Sequence, residues 1–361
     1  MSNSWSQPAG VSAESMARVQ AGERFRLGDV GMLVRSKAFG FTMAMPLLGA
    51  GTVSAGISIG EALVLLGIAV TFHAFAYVLN DVIDLPVDRS QPLRAQDPLV
   101  RGTITRRQAL VFALAQVPLA MAFAAVSGDG ATACAVLGVG FILMVVYNVW
   151  GKRCIFPPLT DAIQGFAWAA LSLIGALIAG GTPNALTGVV VAFLVVFIIM
   201  MNSVHGSLRD LENDIKCGLR TTAIMLSAKP RPAGGIILPR SFIAYTLALQ
   251  AILLALPLLS LAFNWFDFGP LSQVVTAVAV LVAGGLCLAL LVVAARSTAN
   301  AGALFVSGSL HLVLSFASLI VLFALYITPA LLALILAVYF GPLLTTALLR
   351  RALKSLRRKT G

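Results

Sequence analysis

Two short stretches of this sequence hold six of its fourteen acidic residues, at a spacing suited to gripping a metal-bound anion. The first contains Asn80, Asp81, Asp84 and Asp88; the second contains Asp210, Glu212 and Asp214. Residues three, four and seven apart share a helix face, so the first set falls within about a third of a helical circumference. Asp210 and Asp214 are likewise one turn apart. Like charges stacked this way repel, and something must reward the arrangement. A hard divalent cation does so, because Mg²⁺ takes oxygen ligands, typically one or two carboxylates together with substrate phosphates and waters. Asp81, Asp84, Asp88, Asp210 and Asp214 are therefore the candidate metal ligands. Two such clusters face to face would span the Mg²⁺ ions of one diphosphate. Pro86 lacks a backbone N–H and is expected to kink or end the helix between Asp84 and Asp88.

Basic residues accompany both motifs. Arg89, Arg94 and Arg101 follow the first, Lys216 and Arg220 follow the second, Lys152 and Arg153 come after Tyr147, and Arg35 stands ahead of the first apolar block. Fixed cations meeting the charge that develops on a leaving diphosphate are what ionisation of its C–O bond requires. Lys152 and Arg35 are the first candidates for diphosphate contacts, with Arg94 and Arg153 after them, and Asn80 offers an amide to the same assembly. His73 lies two turns before Asn80 and reads as a packed interhelical residue; His205 and His311 receive no role. The four cysteines are scattered, without the paired spacing of a zinc, haem or redox site.

The elements that must position these residues are membrane helices. Hydrophobic residues make up 59% of the chain and charged residues only 11%, against about a quarter in a soluble domain. Ten apolar blocks, most of roughly twenty residues, match the span of a bilayer core: 38–59, 62–80, 109–127, 131–150, 161–180, 185–205, 242–263, 271–295, 301–327 and 329–349. Under this count all 25 Lys and Arg fall on one side, which sets both termini in the cytoplasm and explains the net charge of +11 by topology, with no nucleic acid implied. The expected organisation is a cytoplasmic arm over 1–37, a transmembrane domain over 38–349 and a basic cytoplasmic tail over 350–361. The arm has no apolar core of signal-peptide type. No Asp, Glu, Lys or Arg sits in the middle of any block, which argues against a pump or an ion-driven carrier.

These residues resemble the UbiA-type membrane prenyltransferase superfamily. Asn80, Asp81, Asp84 and Asp88 match its N-D-x-x-D-x-x-x-D signature, and Asp210 and Asp214 match its D-x-x-x-D, continued by Gly218, Arg220 and Thr222. The segment from Asp97 to Gly102 is similar to the family's R-P-L-x-x-G, with Asp97 where Arg is usual, and Tyr147 with Lys152 resembles a Tyr/Lys pair between the motifs. The resemblance implies an all-α integral membrane bundle around a central cavity, with nine transmembrane helices where the charge count favours ten. It also implies a bacterial cytoplasmic-membrane enzyme that ionises a prenyl diphosphate with Mg²⁺ and transfers the prenyl group to a lipophilic, aromatic acceptor. Lys152 and Tyr147 are then the candidate catalytic residues, Tyr147 through its ring face. The rivals are a membrane terpene cyclase of the same superfamily and a non-catalytic lipid carrier.

Overall fold

The computed structural model describes residues 27–232, 235–296 and 301–360, so most of the expected N-terminal arm lies outside the described residues. The principal helices are α1 (Leu27–Leu33), α2 (Phe39–Gly51), α3 (Ile59–Asp88), α4 (Arg106–Ala125), α5 (Gly130–Trp150), α6 (Pro157–Ile178), α7 (Ala185–Ile199), α8 (Leu211–Lys216), α9 (Arg240–Ala262), α10 (Pro270–Arg296), α11 (Ala301–Phe323) and α12 (Pro329–Thr360). Each apolar block of the sequence forms one of these helices. The chain is an all-α integral membrane protein in which, among the described residues, eight helices are long and apolar enough to cross a bilayer. The expected basic tail continues α12 as helix to Thr360.

Of the ten blocks, the first and the last form helices whose apolar stretch falls short of that spanning length. Over the first block, 38–59, the helix α2 has only 13 residues, about 20 Å at 1.5 Å per residue. Polar side chains end it early. Thr52 Oγ1 donates to Gly49 O at 2.6 Å and meets Thr187 Oγ1 at 2.7 Å, and Ser54 Oγ donates to Gly56 O at 2.5 Å. In α12 the apolar part is the shorter stretch Pro329–Thr345.

Capping chemistry starts the helices that carry the site. Ser58 accepts from the Glu61 N–H while the Glu61 carboxylate accepts from the Ser58 N–H, a capping box at the head of α3. Asn184 and Thr187 make the same reciprocal pair at the head of α7. The expected break at Pro86 does not occur, and α3 runs on to Asp88. Pro86 falls in the last turn, where one lost hydrogen bond is followed almost at once by the helix end, closed by the Arg89 N–H on Leu85 O at 3.1 Å.

At the centre of the bundle, α6 packs against α2, α5 and α7, while α3 lies against α4 and α2. The α2–α6 contact is backbone on backbone. A Cβ on Gly175 would stand 1.9 Å from Pro46 O, and one on Gly49 would stand 1.8 Å from Ser172 O. Only glycine permits that approach, the small-residue packing favoured where no hydrophobic force drives helices together. The outer helices α4 and α5 turn Val111, Leu114, Val139 and Ile142 outward, as a lipid-facing surface requires.

Candidate active site

The two acidic motifs meet at one end of the bundle, over a cavity of about 680 Å³. The first motif is the last three turns of α3. The second follows a π-helical segment, Met200–Gly206, that continues α7; Asp210 occupies the break before α8, and the Asp214 N–H donates to Asp210 O at 2.9 Å. Two side-chain bonds tie the motifs together. Gln91 Nε2 donates to Asp210 Oδ1 at 2.9 Å, and Ser90 Oγ donates to Asn213 Oδ1 at 3.0 Å. The loop carrying Lys152 is joined to the loop after the second motif by the Arg220 N–H on Lys152 O at 3.2 Å.

Four of the five motif aspartates have a cationic partner. Asp81 pairs with Arg35, whose guanidinium also lies 4.8 Å from the centre of the Tyr77 ring. Asp84 accepts from Lys152 Nζ at 2.8 Å and from Asn80 Nδ2 at 3.3 Å, with Asn80 also donating to Asn148 Oδ1 at 3.0 Å. Arg94 reaches Asp88 at 3.9 Å and Asp97 at 3.1 Å. Arg209 grips Asp210 through two nitrogens at 2.6 and 3.0 Å. Burial alone would raise Asp210, and the Arg209 guanidinium more than cancels that, holding it below the usual carboxylate range. Among the described residues Asp214 has no such partner. Burial pushes it up to about 6, against the pull of Lys152, and its buried Oδ1 has no hydrogen-bond partner.

Among the described residues no three carboxylate, imidazole or thiol groups converge into a ready-made metal cage. The residues nonetheless fit Mg²⁺. The donor set is all oxygen, as a hard cation requires, and Asp214 offers a desolvated oxygen with no hydrogen-bond partner among the described residues.

Of the residues expected from the sequence, Arg35, Asn80, Asp84, Asp88, Arg94, Tyr147, Lys152, Asp210 and Asp214 line the cavity. Asp81 is buried behind Arg35. Arg153 is exposed and stands off the cavity, since the chain turns there so that Lys152 faces inward. His73 is packed as expected, between Thr42 Oγ1 at 2.7 Å and Val34 O at 3.0 Å.

Below the carboxylates the wall becomes aromatic and apolar, with Tyr77, Tyr147, Trp168, Met144, Met201 and Leu312. The Tyr77 and Trp168 rings are 5.6 Å apart. One end of the cavity thus suits a metal-bound diphosphate and the other a hydrocarbon chain. A profile of the UbiA prenyltransferase family matches residues 39–307, three quarters of the chain.

The chain belongs to the UbiA prenyltransferase family.

Two curated relatives are similar over shorter stretches. Digeranylgeranylglyceryl phosphate synthase of Pyrococcus abyssi is 30% identical over 151 residues, 42% of this chain and 51% of the relative. Protoheme IX farnesyltransferase of Alkalihalophilus pseudofirmus is 33% identical over 118 residues, 32% of this chain and 36% of the relative. The chain therefore spans about half or less of the length of these curated relatives. Among solved structures, a UbiA homolog from Archaeoglobus fulgidus bound to DMAPP and Mg²⁺ superposes with a TM-score of 0.57 at 17% identity, covering 81% of this chain and 99% of that one. The UbiA fold is shared over nearly the whole of that homolog.

The structure adds cavity residues that the sequence reading did not single out, Tyr77, Gln91, Asp161 and Arg209, and it brings His205, to which no role was assigned, to the same wall. Tyr77 was legible, standing four residues before Asp81 and seven before Asp84 on the same helix face. Arg209 lies within the second motif itself. Asp161 is held from across the loop by Thr222 Oγ1, which donates to Asp161 Oδ2 at 2.6 Å, a long-range pairing with no local signal.

Proposed function

We propose that this protein is a Mg²⁺-dependent intramembrane prenyltransferase that ionises an allylic prenyl diphosphate and transfers the prenyl group to a hydrophobic aromatic acceptor. One observation carries the reading: both aspartate motifs, cross-linked by Gln91–Asp210 and Ser90–Asn213, line one cavity together with Tyr77, Tyr147, Trp168, Met144, Met201 and Leu312. Membership of the UbiA family supports it, as does the homolog bound to DMAPP and Mg²⁺.

Asp81, Asp84 and Asp88 from α3, with Asp210 and Asp214 from the second motif, are the residues that would hold the metal. When bound, Mg²⁺ supplies Lewis-acid stabilisation of the leaving diphosphate. Lys152, Arg35, Arg94 and Arg209, which pair with aspartates here, stand close enough to turn their donors to diphosphate oxygens, and Asn80 adds an amide. Tyr77 and Tyr147 line the same cavity and would offer π-systems to the carbon that becomes positive. The apolar wall excludes water, so that the acceptor and not solvent captures the prenyl group. The catalytic unit is 38–349, in a bacterial cytoplasmic membrane with both termini on the cytoplasmic side.

The test is diphosphate release from geranyl diphosphate by the purified chain, with and without Mg²⁺, and with products followed by mass spectrometry. Asp84→Ala and Asp214→Ala should each abolish release, as should chelation of the metal. Undiminished release in both variants would take the two motifs out of the chemistry, no release even by the unaltered chain with Mg²⁺ would leave a lipid carrier, and a cyclic hydrocarbon formed without acceptor would make the protein a cyclase.

A further inference from the structure

The cavity wall carries polar atoms that the protein leaves unmatched. Gln164 Oε1 and Trp168 Nε1 on α6, Asn202 Nδ2 on the π-helical segment and Thr221 Oγ1 after the second motif are all buried. None of the four has a hydrogen-bond partner among the described residues, and all four residues line the cavity. Asp161 joins them. It lines the same cavity, Thr222 Oγ1 holds its Oδ2 at 2.6 Å, and its Oδ1 has no hydrogen-bond partner among the described residues. Asp161, Gln164 and Trp168 stand three and seven residues apart, so they form one stripe along α6 that runs about 10 Å.

A buried donor or acceptor left without a partner costs more than a formed bond returns, and native folds keep few of them. Four around one cavity, beside a half-satisfied carboxyl, mark where a bound molecule completes the bonding. What the stripe lacks defines that molecule. Trp168 only donates, Thr221 donates or accepts, and the Gln164 and Asn202 amides can present either end. None of these four is charged, and Asp161 has no ion-pair partner among the described residues. The cations that line the cavity, Arg35, Arg94, Lys152, Arg209 and Arg220, all come from segments other than α6. The first four already hold a carboxylate, and Arg220, next to Thr221, is exposed. A carboxylate laid on the stripe would be buried without a cation, the costliest way to seat an anion. An ionised Asp161 would repel it as well.

Resting on the transferase reading, we infer that Asp161, Gln164 and Trp168, with Asn202 and Thr221, determine the charge of the acceptor. They select one with uncharged hydrogen-bonding groups, hydroxyls above all, and turn away its carboxylated counterpart. A hydroxyl matches every position, because it accepts from Trp168 and donates to Asp161. The length of the stripe suits two such groups on one rigid skeleton. Thr222 is a positioning residue that fixes the Asp161 carboxyl.

The test compares two probes on one ring skeleton, 2,6-dihydroxynaphthalene and 6-hydroxy-2-naphthoate, which differ by a hydroxyl against a carboxylate. Equilibrium dialysis of the full chain in lipid nanodiscs, with Mg²⁺ and geranyl thiodiphosphate present, reads both affinities. The dihydroxy probe should bind at least about tenfold tighter. Gln164→Leu should weaken it about fivefold, the worth of one ordinary hydrogen bond. Gln164→Lys, which supplies the absent cation, should reverse the preference, and a role in packing alone would not turn discrimination into its opposite. Equal affinities, a preference for the carboxylate, or no binding of either probe by the wild type overturns the inference. So does a preference that both Gln164 variants, folded by their thermal midpoints, leave unmoved. Where neither of them folds, Thr221→Val removes one hydroxyl at constant shape and should weaken the dihydroxy probe by a similar factor; an unchanged affinity overturns the inference. Diphosphate release from geranyl diphosphate by the wild type is measured alongside. Its absence sinks the transferase reading underneath, whereas its presence with any overturning result sinks charge selection alone.

Discussion

Asp214 differs from the other motif aspartates in having no ion-pair partner among the described residues. Its carboxyl is pushed up to about 6 by burial, with Lys152 pulling the other way. A metal needs the carboxylate, so below about pH 6 Mg²⁺ has to displace a proton from Asp214 and above it does not. Affinity for Mg²⁺ with a non-cleavable geranyl thiodiphosphate should therefore rise as pH increases towards about 6 and level off above it. Titration calorimetry across that range reads the step, and Asp214→Asn should remove it along with most of the affinity. Lys152 bridges the motifs electrostatically, and its Nζ is 2.8 Å from Asp84. Lys152→Met should lower kcat about 100-fold, on the scale of losing one donor to a developing anion. Lys152→Arg should recover part of it. An unchanged kcat in Lys152→Met would mean that the ammonium only offsets Asp84. At this scale the sequence was most readable where spacing alone sets proximity, as for Asn80, Asp84 and Tyr77 on one face of α3. It was silent where partners come from far along the chain, as for Asp161 with Thr222 or His205 with His311.

The elements follow the apolar blocks of the sequence, with two departures that have local causes. In α2 the hydroxyls of Thr52 and Ser54 take over backbone carbonyls and stop the helix, although the hydrophobic run continues to Ile59. In the segment after α7, the backbone widens to a π-helix over Met200–Gly206, which shifts every following side chain relative to the 3.6-residue pattern. Hydropathy cannot see that shift, and it is what brings His205 to the cavity. The α2–α6 contact at Gly49 and Gly175 is the element-level test of the packing. Gly175→Ala puts a Cβ 1.9 Å from Pro46 O, and overpacking of that kind costs about 1–3 kcal/mol. Thermal unfolding in detergent should show a lowered midpoint for Gly175→Ala, while Gly188→Ala, with open space around its Cβ position, should unfold like the wild type.

For the whole molecule, the charge asymmetry of the loops predicted that both motifs share a side, and the bonds between Gln91 and Asp210 and between Ser90 and Asn213 place them together. The cavity itself was not legible, because it depends on how α3, α5, α6, α7 and α11 cross. Sidedness can be read from Cys217, which is exposed beside the second motif. A membrane-impermeant maleimide should label it in inverted membrane vesicles and not in intact cells. The pairing of aspartates with their own cations has a larger consequence. On the proposed function, bare Mg²⁺ arriving alone would meet competition from Arg35, Lys152, Arg94 and Arg209 at four of the five aspartates, and it would give those side chains nowhere to go. Prenyl diphosphate arriving alone finds its cationic contacts already spoken for. Each ligand frees what the other needs, so their binding must be mutually reinforcing, and by thermodynamic reciprocity the factor by which one tightens the other is the same in both directions. If the proposed function holds, an enzyme wired in this way would stay idle in a cell full of free magnesium and of unrelated anions, and would become competent only when both halves of the substrate complex arrive.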